Sequence, residues 1–494
     1  MNEDFIIALD QGTTSTRSIL FDVEGNIVKI SQKKLTQYYP KSGWVEHDPL
    51  EIIQHQRETL ENLFTETDIH PNQVKAIGIT NQRETTVVWD KNTGKPIYNA
   101  IVWLDNRSKS YCEELKNKGL ENYVQENTGL VIDAYFSATK LHWILNNVLG
   151  AKEKAAAGDL LFGTIDSWLI YNLTEDKKHV TDHSNASRTM LYNCKELQWD
   201  AHLLNQFGVP KSMLPVVQTS SSNFGNVVVK GVSIPIYGVG GDQQAALFGH
   251  GGFKPGIAKN TYGTGCFMLL NTGEKFVSLK NGLLTTIACS LPDEPINYAL
   301  EGSIFIGGAS IQWLRNKLQI INEATETEAI CNSIPPLEDV YVVPAFAGLG
   351  APYWDAKAKG AIYGLTLDTG KAEIIKGTLD ALAYQTKDVL LAMQKEEGIE
   401  LKKLQVDGGA SANNYLMQFQ ADILNVPVEK PKMIEVTALG AAFLAGLKAG
   451  VWKKEDINKL NKTETTYLPN MDEELRVKKY SGWLDAVERT RVDY

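Results

Sequence analysis

The sequence predicts an α/β protein of two halves, each a mixed β-sheet flanked by helices, with the active site in the cleft between them. Three observations predict it. Apolar strand-like runs alternate with amphipathic helix-like stretches along the 494 residues, which places helices on a mostly parallel or mixed sheet. An apolar run, a Gly-Thr turn and a second apolar run occur together twice, in FIIALDQGTTSTRSILFD (5–22) and in GIAKNTYGTGCFMLL (256–270), the pattern of a duplicated fold. Length also allows it, at ~150 residues per domain.

In order, FIIAL, SILFD and NIVKIS read as three antiparallel strands, with DVEGN as the second turn. EHDPLEIIQHQRETLENLF reads as a helix with Asp48 as N-cap, Pro49 in the first position and Glu51 closing a capping box. Leu50, Ile53, Leu60 and Phe64 are expected on its buried face. VKAIGIT and TVVWD return to strand around NQRE (81–84). In the second half, helices are expected at about 307–320, 372–396, 413–424 and 436–449, and LKKLQV (401–406) as a strand running into DGGASANN. HGGFKPG (250–256) is the expected boundary, dividing the chain into 1–250 and 251–494.

Composition narrows the class. Hydrophobic residues make up 43% and charged residues 22%, with 40 glycines, as in soluble α/β proteins. A net charge of −10 without blocks of like charge argues against nucleic acid or an anionic membrane as the main partner. MNEDFIIALD lacks the basic start of a signal peptide. No run reaches the ~18–20 apolar residues of a membrane span; the nearest, VTALGAAFLAGL, stops at Lys448. Cysteines 112, 194, 266, 289 and 331 form no C-x-x-C pair and read as free thiols in a reducing cytoplasm. His179 and His183 have a metal-like spacing, but their polar setting reads as loop or strand end, not a metal site.

Five stretches carry chemistry. In ALDQGTTSTR, Gly12 lets backbone N–H groups approach a ligand, Thr and Ser hydroxyls add donors, and Asp10 could face a hydrated Mg2+. Read alone, this is either a phosphate nest or a tight hairpin with a solvated aspartate. NTYGTG (260–265) and VDGGASANN (406–414) again set small residues after a strand, the second leading into a helix start near Asn413. Neither a P-loop nor a complete G-x-G-x-x-G is present, which disfavours those nucleotide folds. In GVGGDQQAALFG, Asp242 is either a helix N-cap or a carboxylate at the cleft mouth, placed to take a proton from an acceptor hydroxyl. In ITNQRETTVVW, Arg83 and Glu84 are either a surface ion pair or a donor and an acceptor for neighbouring polyol hydroxyls. Trp103, Tyr135 and Phe267, read as loop residues, are either core or an apolar wall for C–H groups.

Together, ALDQGTTSTR, SGWVEHDP, GITNQRETT, TGLVIDAYFSATKLHWIL, NASRTMLYN, GDQQAALFG, KNTYGTGCFML, GASIQWLR, VVPAFAGLGAPYWD, VDGGASANN and VTALGAAFLAG resemble segments of the FGGY carbohydrate kinase family. That family lies in the actin and heat-shock-ATPase superfamily. The segments run in order from residue 8 to about 446, so the resemblance covers nearly the whole chain. It implies two ribonuclease-H-like (actin-like ATPase) domains closing on their substrates. The implied activity is phosphorylation of glycerol by ATP with Mg2+, giving sn-glycerol 3-phosphate. It implies that Thr13, Thr14, Ser15 and Arg17 form the first phosphate loop, and that Asp10 serves Mg2+ through water. Arg83, Glu84, Trp103 and Tyr135, with Asp242, Gln243 and Phe267, would bind glycerol, and Asp242 would be the general base. Thr264, Gly308, Gln312, Gly409 and Asn413 would contact the nucleotide. A cytoplasmic homo-oligomer, dimer or tetramer, with glycerol and ATP as partners is expected.

The sequence also departs from the family. Leu104 replaces a residue that is often polar, and Gly377 an Ala or Ser. SSSNFGNVVVKGVSIP (220–235) lacks both the phosphorylatable His and the Gly-Arg pattern of sugar-bisphosphate inhibition. Regulation at that segment is therefore not expected. The rival readings are an FGGY kinase for xylulose, gluconate or ribulose, which a substrate panel separates, and a chaperone or filament ATPase. The adjacent Arg83 and Glu84 favour glycerol over the first. An acceptor-side carboxylate has no purpose in the second.

Overall fold

The computed structural model describes residues 4–278, 282–335, 340–355, 357–397 and 399–491. The first half centres on a six-stranded mixed sheet. Its strands are β1 (Phe5–Gln11), β2 (Ser15–Asp22), β3 (Ile27–Lys34), β4 (Val74–Asn81), β5 (Asn226–Val229) and β6 (Val232–Gly241), in the order β5-β6-β4-β1-β2-β3. β1 to β3 form the expected antiparallel run, whereas β4 pairs parallel with both β1 and β6.

The second half carries seven strands: β7 (Ile257–Tyr262), β8 (Cys266–Gly273), β9 (Leu284–Ile287), β10 (Tyr298–Ile304), β11 (Lys403–Asp407), β12 (Val428–Pro431) and β13 (Thr463–Tyr467), in the order β9-β10-β8-β7-β11-β12-β13. β7 repeats the pairing of β1, antiparallel to the strand after its Gly-Thr turn and parallel to a later one. The repeated sequence plan is thus a repeated structural plan.

Helix α1 (Pro49–Thr65) is capped by Asp48, whose side chain accepts the Leu50 N–H at 2.8 Å. Two details differ from expectation. Glu51 bonds the Thr36 N–H and hydroxyl at 3.2 and 2.8 Å instead of closing a capping box. Leu50 is 51% exposed, while Ile52, Ile53, Leu60, Leu63 and Phe64 are buried. At ~100° per residue the apolar stripe centres between Ile52 and Ile53 and leaves Leu50 off it.

The remaining helices that matter are α2 (Asp242–Gly249), α3 (Gly308–Trp313), α4 (Lys371–Glu397), α5 (Asn414–Leu424) and α6 (Val436–Lys448). Although α6 belongs to the second half, it lies on the first sheet. Its Ala438, Leu439, Ala442 and Phe443 join Ile6, Ala8, Ile19, Phe21 and Ala76 in one apolar cluster. Gly78 permits this approach, because a Cβ there would sit 2.1 Å from the Ala441 carbonyl oxygen.

Gly377 lies where α4 packs on the strand Tyr341–Val343, and Leu104 is half exposed. All five cysteines are free thiols. His179 bonds the Phe162 carbonyl and His183 the Tyr192 hydroxyl. Among the described residues no helix is long and apolar enough to cross a membrane.

Candidate active site

The strand β1 reaches the cleft at Asp10, and Gly12 to Thr14 turn the chain back, closed by the Gly12 N–H on the Ser15 carbonyl at 3.0 Å. The N–H groups of Thr13 and Thr14 make no hydrogen bond among the described residues, so the turn keeps donors for an anion. It is held from behind. Gln37 donates to the Thr13 carbonyl at 2.8 Å and Gln82 to the Gly12 carbonyl at 3.3 Å. Between the two amides lies His47, which donates from Nε2 to Gln37 and accepts at Nδ1 from Gln82. Burial pushes its pKa down to about 4 and keeps it neutral.

Asp10 is not the solvated carboxylate of a plain hairpin. It is 4% exposed and, in register with Arg17, forms an ion pair with it. Burial raises its pKa, Arg17 opposes, and Glu435 and Asp242 add to the rise. Arg17, expected in the first phosphate loop, is shared between Asp10 and Glu435, the latter at 2.6 Å and just ahead of α6. Ser15 opens β2.

Arg83 and Glu84 follow β4 and are buried, which removes the surface-pair reading. Glu84 has a left-handed backbone (φ 61°), and its carbonyl accepts from Ser137 Oγ at 2.9 Å and Thr86 Oγ1 at 3.1 Å. Such strain persists where surroundings fix it. The pair belongs to a larger network. Arg83 donates through both Nη atoms to Glu301, and its Nε lies 3.1 Å from Asp242. Arg188 donates from Nε to Glu84 at 2.6 Å and from Nη2 to Glu301 at 2.8 Å. Burial pushes the Glu301 carboxyl up, but Arg188 and Arg83 overcome it and hold the pKa at about 2. For Glu84 burial wins over the same two cations, and the pKa is raised. Glu84 Oε2 and the Tyr135 hydroxyl have no hydrogen-bond partner among the described residues.

Trp103, Tyr135 and Phe267 form one wall, with the Trp103 ring 5.5 Å from Tyr135 and 6.1 Å from Phe267. Phe267 comes from β8 rather than from a loop, because the strand begins at Cys266, directly after the last glycine of the Gly-Thr turn. Trp103 also donates its indole N–H to Thr13 Oγ1 at 3.0 Å, joining this wall to the first loop.

Asp242 opens α2 with Gly241 as the N-cap, so capping is not its role. Its side chain is 33% exposed, with Gln243 Nε2 at 3.3 Å from the oxygen not facing Arg83. Gln243 in turn accepts from Lys259, which also bonds Thr261 Oγ1 at 2.9 Å. Burial pushes the Lys259 pKa down to about 8, against Asp407 and Asp242.

Opposite lie the small-residue loops. The Gly263 carbonyl accepts from Gly308 at 2.9 Å, and the Thr264 carbonyl from Gly307 and Ala309 at 2.9 and 3.0 Å, stitching that turn to the start of α3. Gln312 is exposed on α3. Gly408 has φ +86°, and a Cβ there would lie 2.5 Å from the Tyr262 carbonyl oxygen, while Gly409 faces open space. Asn413 caps α5 on Leu416 N–H at 2.9 Å and donates to Thr327 Oγ1 at 3.0 Å. A cavity of about 400 Å³ is lined by Ile311, Thr327, Glu328, Gly409 and Asn413, among others.

Arg188, Glu301 and Lys259 have no part in the sequence reading. The apolar strand YALEGSI holds a signal for Glu301, since a carboxylate buried in a strand needs a cation. Arg188 and Lys259 sit among polar neighbours that mask them.

The model of the FGGY family of carbohydrate kinases matches the chain with its N-terminal domain at residues 5–249 and its C-terminal domain at 258–449. A glycerol kinase of Alkaliphilus oremlandii is 59% identical over 489 residues, covering 98% of this chain and 97% of its own. A glycerol kinase of Carboxydothermus hydrogenoformans is 58% identical over 495 residues, covering 99% of both. The crystal structure of Plasmodium falciparum glycerol kinase with ADP superposes at a TM-score of 0.95 with 39% identity, over 100% of this chain and 99% of that one. The fold, with its two mixed sheets and flanking helices, is that of this superfamily, and the chain belongs to the FGGY family of carbohydrate kinases.

Proposed function

We propose that the chain transfers the γ-phosphoryl group of ATP to a terminal hydroxyl of glycerol, giving sn-glycerol 3-phosphate and ADP, with Asp242 as the general base. The observation that carries this reading is the partly exposed Asp242 carboxylate, held by Arg83 and Gln243 next to acceptor groups with free hydrogen-bonding capacity. Glycerol would lie against Trp103, Tyr135 and Phe267, with vicinal hydroxyls on Arg83 and on Glu84 Oε2. As the terminal oxygen attacks the γ-phosphorus in line, its proton passes to Asp242 and the bond to the β-phosphate oxygen breaks. The free N–H groups of Thr13 and Thr14, with Thr264, would receive the transferring group. Gly308, Gln312, Gly409 and Asn413 would hold the nucleoside, and the cavity between α3 and α5 supports that placement. The name of the relative solved with ADP supports ATP as donor.

A divalent ion fits the chemistry of the first loop. Asp10 keeps one carboxylate oxygen, Oδ1, without a hydrogen bond among the described residues, and hard oxygen donors suit Mg2+. Asp10 would hold Mg2+ through water, and the ion when bound would neutralise charge on the phosphates. Water exclusion by the aromatic wall and by closure of the two halves would keep ATP from hydrolysis.

A coupled assay of ADP release tests the reading. Release is expected to be fast with glycerol, slow with xylulose, ribulose or gluconate, and absent without an acceptor. Strong release without any polyol would overturn it in favour of a superfamily ATPase. The free thiols support a reducing cytoplasm. A homo-oligomer is the assembly we infer from the family resemblance, which light scattering checks.

A further inference from the structure

Two charged residues without a role so far flank the Arg83–Glu84 pair. Glu301, in the middle of β10 and fully buried, accepts from both Nη atoms of Arg83 and from Nη2 of Arg188. Arg188, also fully buried, spends its Nε on Glu84 Oε1 and leaves Oε2 without a partner. Arg188 lies over the Tyr135 and Phe136 rings, 5.6 and 5.3 Å from their centroids. Burying four charges is unfavourable even when they are paired, and apolar residues of similar volume generally fill such space with equal or better stability. Stability alone therefore gives no reason for this arrangement. Its geometry does: Glu301 bonds Arg83, Arg188 bonds Glu84, and the Arg188–Glu301 bond ties the two supports together.

We propose that Arg188 and Glu301 are positioning residues for the acceptor pocket: Glu301 fixes both guanidinium groups from the second half, and Arg188 orients Glu84 so that Oε2 is left for a substrate hydroxyl. This rests on the assignment of Arg83 and Glu84 to glycerol. Since Arg83, Glu84 and Arg188 come from the first half and Glu301 from the second, the pocket is complete only when both halves contribute.

Charge gives the arrangement a distinctive readout. Glu84 is faced by Arg83, Arg188, Glu301, Tyr135 and, in the helix Ser137–Asn147, Lys140. Lys140 Nζ is itself engaged by the Ala134, Tyr135 and Phe136 carbonyls. Burial raises the Glu84 pKa, and Arg188 is the larger of the two cations opposing it. Without Arg188, Glu84 takes up its proton at higher pH and loses the charge that accepts a hydroxyl hydrogen bond.

Steady-state kinetics of R188M, R188K and E301Q test this in the full chain, with thermal melts to confirm folding. R188M is expected to raise the glycerol KM about tenfold or more and the ATP KM less than about twofold. The glycerol KM of R188M should climb more steeply than that of the wild type as pH falls from about 8 to about 6. R188K keeps the charge and should recover the wild-type pH profile. E301Q should raise the glycerol KM alone, and carries the test should R188M not fold. Folded variants with glycerol KM within about twofold of wild type, or with both KM values rising together, would overturn the proposal. A wild type lacking glycerol-dependent ADP release would overturn the substrate assignment instead, so the two failures are distinguishable.

Discussion

The acceptor and donor parts of the site are organised by opposite means. On the acceptor side, four buried charged side chains and Asp242 hold one another in a closed network. The donor side, with one loop from the first half and two from the second, offers backbone: free N–H groups at Thr13 and Thr14, the stitched turn at Gly263 and Thr264, and glycines at 408 and 409. The difference follows from the ligands. A small uncharged polyol has few handles, so side-chain charge must be placed with precision and shielded from water. A nucleotide brings its own charge and surface, and needs mainly room and donors.

The sharpest way to break this comparison is Asp242→Asn, which keeps the shape of the acceptor side and removes its base. Turnover should fall about 10³-fold with ATP affinity retained; near-normal kcat would leave the acceptor side without its chemical role. Next comes the support behind the first loop. His47 has its pKa depressed from 6.5 to about 4, so its contribution to stability is present above about pH 6.5 and is lost as pH falls through about 4. The loss is on the order of 3 kcal/mol. Urea titrations between those pH values should show a flatter dependence in His47→Gln than in the wild type, and equal slopes would remove His47 as the sensitive element.

On the nucleotide side, Gly408→Ala puts a Cβ against the Tyr262 carbonyl at a left-handed position. It should cost about 1–3 kcal/mol in a denaturation melt and raise the ATP KM while sparing that of glycerol. The smallest effect is expected where the two sides touch. Trp103→Phe keeps the wall but removes the bond to Thr13, at about 1 kcal/mol, or roughly fivefold in kcat/KM for both substrates. A change confined to glycerol would mean that the bond carries nothing from the aromatic wall to the first loop.

Local features were legible in the sequence, and distant partners were not. Helices α3, α4, α5 and α6 begin within one residue of their expected starts, because caps, glycines and apolar spacing are read over a few neighbours. The three loops of small residues were recognisable for the same reason. Asp10 read as a candidate metal carboxylate, yet its partner Arg17 is shared with Glu435, 418 residues further along the chain, and no local pattern announces it. Glu301 meets Arg83 across 218 residues and Arg188 across 113. Arg83 and Glu84 drew notice as neighbours, whereas the structure pairs each chiefly with someone else. Leu50 misled because the expected face left out Ile52 and Leu63, whose positions turn the apolar stripe away from it.

The placement of α6 bears on how the protein is made. A nascent chain synthesised as far as residue 250 has all six strands of its first sheet but no helix over Ile6, Ala8 and Ala76. That apolar face stays uncovered, and Arg17 lacks Glu435, until the ribosome has produced residues 435–448. Domains usually mature in order of synthesis; here the earlier half waits for a segment near the end of the later one to cover its apolar face and pair Arg17.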